Sequence, residues 1–276
     1  MDVKVHCHIP ASQAQIMNVS NRPVVGLLPA AGTGSRLGKL PFSKELLPLN
    51  LSGESTNGES TPVAIENAIA SLVESDITCQ HVVIAPGKWD IPAYLGDGTR
   101  LKACISYVVA ESSPSVPHSL DAAYEFIEHC DVVLVFPDII FSPRNAVSEL
   151  ITCRASRDVD VALALVPSNR GEKVDIVSCD EQGIVTEIMA KPGAEFVGWT
   201  WIVASWSTRF TQFLHRYLQQ VEGQDRPKGS RELYVADVLN AAIDDGLTIH
   251  GLRFPDGDAI DIGTPDDLTR AWLRDV

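Results

Sequence analysis

The 276-residue sequence lacks the long apolar runs and the leader that membrane-bound or exported chains carry. No apolar stretch approaches the roughly 18 residues that a membrane-spanning helix needs. The first residues also lack a basic region followed by an apolar stretch, which is the pattern of a secretory signal. We therefore expect a chain that neither spans nor binds a membrane and that resides in the cytoplasm.

Paired cysteines with the spacing of common metal sites are absent from the sequence. The six cysteines are scattered, and none forms a C-x-x-C pair. Scattered cysteines in a chain long enough to build an apolar core indicate free cytosolic thiols. This spacing disfavours both a disulfide framework and a zinc site.

Basic residues are few relative to acidic ones. The chain has 22 lysines and arginines against 36 aspartates and glutamates, which gives a formal net charge of −14. Such a charge disfavours a general affinity for nucleic acid or for anionic membranes. It does not exclude a nucleotide substrate, because a local group of lysine, arginine and backbone N–H groups can bind phosphates on an acidic protein.

Short apolar runs alternate with helical patterns along most of the chain. An apolar run at residues 24–28 predicts a buried strand, and the alternation continues to a similar run at residues 159–166. This order predicts a three-layer, Rossmann-like α/β fold with a mainly parallel sheet. Runs at residues 173–178 and 184–189 flank an Asp-Glu-Gln-Gly turn sequence. They predict an inserted antiparallel hairpin.

The chain divides into a short extension and one domain. Residues 1–22 show no sustained hydrophobic period, so we interpret them as an N-terminal extension. Residues 23–276 contain no internal repeat and no convincing linker, which predicts a single domain that carries the hairpin. Residues 50–60 are polar and rich in glycine and serine, which is typical of a surface loop.

A glycine-rich turn follows the first predicted strand and is rich in phosphate-binding groups. Gly32 and Gly34 let the backbone approach a ligand closely, and consecutive N–H groups in such a turn point at one place. Arg36 adds a planar fork for phosphate oxygens, and Lys44 adds a mobile point charge. The pattern predicts a polyphosphate site at this turn.

Two other nucleotide-binding motifs and a ligand-free turn are the alternatives for this segment. The dinucleotide fingerprint G-x-G-x-x-G fails because Leu37 stands where the third glycine belongs. The Walker A motif fails because Thr33 and Leu40 occupy two of its defined positions. A tight turn without a ligand would leave Arg36 and Lys44 unexplained.

Two aspartates are candidate ligands for a divalent cation. Asp138 follows the apolar run at residues 132–136, and ligands of α/β sheets gather at the carboxyl ends of strands. Asp261 precedes a Gly-Thr-Pro sequence in which Thr264 predicts a helix cap. Transfer between polyanions needs charge neutralisation, and Mg²⁺ held by one or two carboxylates is the usual device. The alternatives are a turn aspartate at 138 and a loop acid at 261.

The turn closely resembles the N-terminal signature of the sugar-nucleotide pyrophosphorylases, a nucleotidyltransferase family that includes the glucose-1-phosphate thymidylyltransferases. The signature, G-x-G-[ST]-R-[LF] followed by S-K-x-L-L-P, stands at residues 32–37 and 43–48. The resemblance covers about residues 24–272 and implies the nucleotide-diphospho-sugar transferase fold. It implies that Arg36 and Lys44 are catalytic contacts to phosphates. It also assigns triphosphate binding to Ala30, Ala31, Gly32, Thr33, Gly34 and Ser35.

The same resemblance assigns the two aspartates to Mg²⁺. Residues 134–141 (LVFPDIIF) look like the family's L-V-L-G-D-N-I-F, in which the aspartate, here Asp138, binds the metal. Residues 261–268 look like the family's D-x-G-T-P-x-x-L, in which Asp261 is the second metal ligand. This chain departs from the pattern at Pro137, where the family has glycine.

The residues implied for the acceptor and the base are less well preserved. Lys191 matches a lysine that contacts the substrate phosphate, whereas Ala190 replaces a sugar-binding glutamate. Gly198 matches a glycine that lies beside the sugar in the family's next strand. Trp199, which follows it, either flanks the substrate pocket or has a role in the core or at an interface. Glu111 stands near the family's base-binding glutamine. An ionised carboxylate only accepts hydrogen bonds, which suits the amino edge of cytosine or guanine.

The resemblance implies a nucleotidyltransferase that joins a nucleoside triphosphate to a sugar 1-phosphate with release of pyrophosphate. A cyclitol phosphate, phosphocholine or a phosphonate stays open as the acceptor, and so does a non-catalytic protein that binds nucleotide sugars. A glycosyltransferase of similar fold is disfavoured because residues 136–138 (FPD) are not the D-x-D sequence it would need. Members of the family often form homo-oligomers, and the sequence identifies no interface.

Overall fold

A computed structural model describes residues 22–32, 34–49, 61–222 and 231–273. The extension predicted for residues 1–22 lies outside these ranges except for Arg22, and so does the polar loop over residues 50–60. The boundary between an extension and a domain therefore stays a prediction.

Strands and helices alternate through the first half of the described chain, as the sequence pattern predicted. The strands are β1 (Val24–Pro29), β2 (Cys79–Ile84), β3 (Cys104–Val109), β4 (Asp131–Val135), β5 (Ile139–Ser142), β6 (Val161–Ser168), β7 (Ile176–Cys179), β8 (Val185–Met189), β9 (Gly198–Trp206), β10 (Ile249–Arg253) and β11 (Asp258–Asp261). The α-helices are α1 (Ala64–Val73), α2 (Asp90–Leu95), α3 (Val116–Asp121), α4 (Tyr124–Ile127), α5 (Ala146–Arg157), α6 (Thr208–Glu222), α7 (Val235–Asp244) and α8 (Pro265–Trp272).

The central sheet has the strand order β10-β6-β9-β4-β1-β2-β3. Strand β1 pairs in parallel with β2 and β4, and β2 pairs in parallel with β3. Strand β9 is antiparallel to both β4 and β6, and β6 is parallel to β10. The mainly parallel sheet predicted from the sequence is confirmed. Its parallel strands direct their carboxyl ends to one edge, which is where ligands of such sheets bind.

Helices cover both faces of this sheet and make the three layers that the sequence predicted. Helices α3, α4, α6 and α7 pack on one face, and α1, α2 and α5 pack on the other. In α6 the apolar residues Phe210, Phe213, Leu214 and Leu218 recur at helical spacing and are all buried, so one stripe of the helix faces the sheet. None of the helices in the described ranges has the length and apolar character that a membrane crossing requires.

The predicted hairpin is confirmed as β7 and β8, which are antiparallel with Ile176 opposite Met189. Its turn is held by the Asp180 carboxylate, which accepts from the backbone N–H of Gln182 at 2.9 Å and of Ile184 at 2.8 Å. Strand β7 also pairs with β9. The hairpin therefore extends the central sheet beside the strand that carries Gly198 and Trp199.

A second sheet of two strands was not predicted from the sequence. Strand β5 follows β4 directly and pairs antiparallel with β11 from near the end of the chain, with Ile139 opposite Asp261. Strand β11 begins at Asp258. This small sheet packs its apolar side chains against α8 and brings two distant parts of the chain to the carboxyl end of β4.

Candidate functional site

The turn after β1 is hydrogen-bonded to the sheet at its first residue, Ala30, and is exposed at Gly32. The backbone N–H of Ala30 donates to the carbonyl oxygen of Val83 in β2 at 2.7 Å, so the turn leaves the sheet from a defined point. Ala31 is buried. A Cβ atom built on Gly32 would meet no heavy atom of the described residues beyond its chain neighbours within 4 Å. The backbone at Gly32 is therefore accessible to a ligand.

Gly34 allows the turn to lie directly beside Lys44. Its φ is +65°, a left-handed conformation that glycine adopts without strain. A Cβ atom at this position would lie 3.2 Å from Cδ of Lys44, which is closer than ordinary van der Waals contact. Thr33 and the side chain of Ser35 lie outside the described part of the structure, so their contacts with phosphate stay predictions.

Lys44 forms an ion pair with Asp138 at the carboxyl end of β4. Its Nζ atom donates to Oδ2 of Asp138, and the two side chains are only 12% and 16% exposed. Burial acts to lower the pKa of Lys44, but the charge and the hydrogen bond of Asp138 outweigh burial and raise the pKa above its usual value. Lys44 is therefore a cation at neutral pH. It lies between the glycine-rich turn after β1 and Asp138, the first candidate metal ligand.

The small sheet brings Asp261 to the same place as Asp138. Ile139 lies opposite Asp261 in this sheet, and the backbone N–H of Ile262 donates to the carbonyl oxygen of Asp138 at 3.0 Å. Burial raises the pKa of Asp261 above its usual value, and the negative charge of Asp138 raises it further. The two carboxylates are thus close enough to repel each other.

Arg36 reaches this pair of acids from the glycine turn. Its Nη2 atom lies 3.6 Å from Oδ2 of Asp261, and its side chain is 59% exposed. A Cβ atom on Gly263 would lie 2.9 Å from the same Nη2 atom, so a glycine at 263 gives the guanidinium its place. Because Arg36 is only partly covered, its planar fork can also receive phosphate oxygens.

A buried network holds the loop that carries Asp261. The predicted cap of the last helix is confirmed, since Oγ1 of Thr264 accepts from the backbone N–H of Asp267 at 3.3 Å. The Asp267 carboxylate accepts from Arg170 at 2.6 Å and from Lys173 at 3.0 Å, and both belong to the segment between β6 and β7. Burial alone would raise the pKa of Asp267, but the hydrogen bonds from Arg170, Thr264 and Lys173 hold it well below its usual range.

The residues predicted for the acceptor lie around the start of β9. Lys191 is exposed, has a left-handed backbone with φ of +46°, and places its Nζ atom 4.4 Å from the centre of the Tyr234 ring. Trp199 is half-buried, with the guanidinium of Arg253 5.4 Å from its ring centre. A Cβ atom on Gly198 would lie 3.1 Å from Ile176, so this strand start packs closely on the hairpin.

Trp201 of β9 packs between residues of two parts of the site. Trp201 lies 5.5 Å from the Phe136 ring, which is two residues before Asp138. Its Nε1 atom donates to the carboxylate of Asp175 at 3.1 Å. Burial raises the pKa of Asp175, and the positive charge of Lys191 acts in the opposite direction. Trp201 therefore contacts both Phe136, directly after β4, and Asp175, whose carboxyl is affected by the charge of Lys191.

Glu111 lies at the same edge of the sheet but at some distance along it. It is exposed and follows β3, where the backbone N–H of Ala110 donates to the carbonyl oxygen of Ile84 at 2.9 Å. Strand β2 separates it from β1. Its carboxylate is therefore placed at the carboxyl end of the edge strand, on the opposite side of the glycine turn from β4.

The loop after β2 contributes side chains that the sequence reasoning missed. Its residues Gly87, Lys88 and Asp90 line a cleft of about 720 Å³ together with Gly34, Lys44 and others. The position of this loop could have indicated a role, because β2 is parallel to β1 and the segments that follow the two strands lie at the same edge of the sheet. Sequence motifs alone gave these residues no role.

The described residues form a Rossmann-like α/β fold with charged side chains at its carboxyl edge. No protein-family model matches the sequence. The low-salt glycan biosynthesis nucleotidyltransferase of Haloferax volcanii is 27% identical over 249 residues, which cover 89% of this chain. The match covers 64% of that relative's length, so this chain corresponds to only part of it.

Solved structures show the same architecture at lower sequence identity. A protein assigned as a glucose-1-phosphate thymidylyltransferase of Bacillus anthracis has a TM-score of 0.75 and 20% identity, over 92% of this chain and 96% of its own. UDP-glucose pyrophosphorylase of Acinetobacter baumannii has a TM-score of 0.70 and 17% identity, over 90% of this chain and 92% of its own. The resemblance to the sugar-nucleotide pyrophosphorylase family is confirmed.

We expect Asp267→Asn to lower the free energy of unfolding by about 3–5 kcal/mol at pH 7, the cost of breaking a buried ion pair. The folded-state pKa of Asp267 is depressed, so its contribution is complete above the ordinary carboxyl pKa and fades as the pH falls. Urea denaturation between pH 7 and pH 3 should therefore show the difference from wild type narrowing below about pH 4. The exposed neighbour Asp266→Asn is the control. A difference that stays constant with pH would contradict this role of Asp267.

Proposed function

We propose that this chain is a nucleotidyltransferase that joins a nucleoside triphosphate to a sugar 1-phosphate and releases pyrophosphate. The observation that carries the proposal is the convergence of two cations, Arg36 and Lys44, with two acids, Asp138 and Asp261, beside an open glycine turn. Transfer between two polyanions depends on positioning and on electrostatic stabilisation, and this arrangement supplies groups for both.

The triphosphate binds at the turn after β1. The N–H of Ala30 is already donated to Val83, so the N–H groups that follow it in the turn bind the phosphate oxygens, and the open space at Gly32 leaves room for them. Lys44 holds the triphosphate as a point charge. The partly exposed fork of Arg36 stabilises the negative charge that develops on the departing pyrophosphate.

The carboxylates of Asp138 and Asp261 fit Mg²⁺. Burial raises the pKa of Asp261, the negative charge of Asp138 raises it further, and a divalent cation would relieve that repulsion. Among the described residues, no group of three or more His, Cys, Asp or Glu side chains gathers as a metal site. Two protein ligands suit Mg²⁺, which keeps several waters. When bound, the metal supplies neutralisation of phosphate charge.

The reaction is a direct displacement at the α-phosphorus. An oxygen of the acceptor's phosphate forms the new bond to the α-phosphorus. The bond from that phosphorus to the oxygen that bridges the α- and β-phosphates breaks, and pyrophosphate leaves with this oxygen. Lys191 holds the acceptor phosphate, and Gly198 and Trp199 flank the acceptor. No covalent intermediate with the protein is needed, because alignment of two bound substrates supplies much of the rate.

The acceptor side of the site departs from the family's pattern at residue 190. Ala190 is half-buried against the core where the family has a sugar-binding glutamate. A cyclitol phosphate, phosphocholine or a phosphonate is therefore included in the test as an alternative acceptor.

We expect the wild-type protein with Mg²⁺ to release pyrophosphate from at least one pair in a panel of triphosphates and acceptor phosphates. Asp138→Asn should lower that rate at least about 100-fold, the range for loss of one electrostatic group at a reacting centre. Its circular dichroism spectrum should stay that of the wild type. The exposed Asp244→Asn is the matched control and should keep full activity.

Two outcomes of this panel count against the proposal. Near-normal activity of the Asp138→Asn variant would remove that residue from the site. Absence of pyrophosphate with every pair, together with thermal stabilisation by a nucleotide sugar, would identify a binding protein that does not turn over.

Glu111 is expected to determine the preference for the base. Its carboxylate accepts from the amino group of cytosine or guanine, whereas a glutamine both donates and accepts and so also suits thymine or uracil. Glu111→Gln should shift the ratio of kcat/KM for cytidine or guanosine triphosphate over that for thymidine triphosphate by about 10-fold or more, as for loss of a charged hydrogen bond. The exposed Glu125→Gln is the control, and an unchanged ratio would place the base elsewhere.

A further inference from the structure

The loop of residues 86–90, which follows β2 and ends at the first residue of α2, is hydrogen-bonded to both chain neighbours of Lys44. On one side, the Asp90 carboxylate accepts from the backbone N–H of Ser43 at 2.5 Å and from its hydroxyl at 2.7 Å. On the other side, Nζ of Lys88 donates to the two carboxylate oxygens of Glu45 at 2.9 and 2.8 Å. Residues 43 and 45 are buried, so Lys44 projects from a segment that is held on both flanks.

Lys88 also contacts the phosphate turn itself. Its ammonium donates to the carbonyl oxygen of Ala30 at 2.7 Å, and Ala30 is the first residue after β1. One side chain therefore joins the start of the turn to the segment that carries Lys44. The Ala30 backbone is in addition hydrogen-bonded to Val83 in β2, the strand from which the loop departs.

We propose that Lys88 and Asp90 are positioning residues for nucleotidyl transfer, and that the loop of residues 86–90 is a clamp that aligns Lys44 with the phosphate turn. The inference rests on the proposed function, because Lys44 is the group whose placement the clamp controls. The proposal gives Lys88 and Asp90 a role that needs no direct contact between their side chains and the substrates.

The contacts of Lys88 distinguish it from a phosphate ligand. An ammonium has three donors, and Ala30 and the two oxygens of Glu45 supply three acceptors. The side chains of Lys88 and Glu45 are 14% and 1% exposed. Lys88 thus lines the cleft with its donors already committed to the protein.

The alternative is that Lys88 only neutralises a buried acid. Burial raises the pKa of Glu45, and the charge of Lys88 acts to lower it, so Lys88→Met alone would combine a lost clamp with a buried acid left unpaired. A double variant, Lys88→Met with Glu45→Leu, removes both charges and keeps similar volumes. Replacement of a buried ion pair by apolar residues is often neutral for stability.

We expect the double variant to unfold at a thermal midpoint near that of the wild type and yet to lose kcat by about 10- to 100-fold, because misplacement of a catalytic group by about 1 Å can cost 100-fold. The KM for the acceptor should change little. Asp90→Ala, which frees the Ser43 flank, should reduce kcat in the same way. Lys102→Met, at an exposed lysine of the surface, is the control and should keep the wild-type kcat.

Two results would overturn the inference. A double variant with wild-type kcat and stability would show that Lys88 only neutralises Glu45. A rise in the KM for the triphosphate at unchanged kcat would identify Lys88 as a ligand of the ground-state phosphates.

The wild-type assay separates this inference from the proposed function. If the wild-type protein releases no pyrophosphate with any pair, the proposed function fails. The clamp is then tested by the thermal shift that inorganic tripolyphosphate produces. Asp90→Ala removes an acid, which cannot itself bind a phosphate, so loss of that shift in this variant would support the clamp, and retention of the shift would overturn it.

Discussion

The ion pair between Lys44 and Asp138 is the interaction on which the site depends. It joins the segment after the glycine turn to the carboxyl end of β4, and both partners are largely buried. Burial would weaken the charge on a lone lysine, and the adjacent carboxylate keeps it. The pair therefore places a permanent cation between a predicted polyphosphate site and a predicted metal site.

Three separate parts of the chain support that pair. The β5–β11 sheet carries Asp261 to Asp138, and the buried Asp267 network anchors the loop that follows β11. The loop of residues 86–90 holds the chain on both sides of Lys44. These contacts hold the carboxylates of Asp138 and Asp261 near each other although their charges repel. A divalent cation that bound between them would relieve this repulsion.

The relatives agree with this architecture at different levels of detail. The Haloferax volcanii nucleotidyltransferase shares 27% identity over most of the present chain, and the solved structures share the fold at 20% identity or less. The fold is therefore retained at low sequence identity. A shared fold does not by itself fix the substrate, because function depends on individual side chains at the site.

The sequence by itself determined the mainly parallel sheet, the three layers, the hairpin and the cap at Thr264, because apolar periodicity and turn residues are local signals. Its motif also marked Arg36, Lys44, Asp138 and Asp261, whose roles stay predictions. Only the tertiary structure decided that these four side chains meet, since the four-residue strands β5 and β11 have weak local signals and pair across a long stretch of chain. Lys88 and Asp90 gained their contacts in the same way, because hydrogen-bond partners far apart in sequence become neighbours only when the strands align.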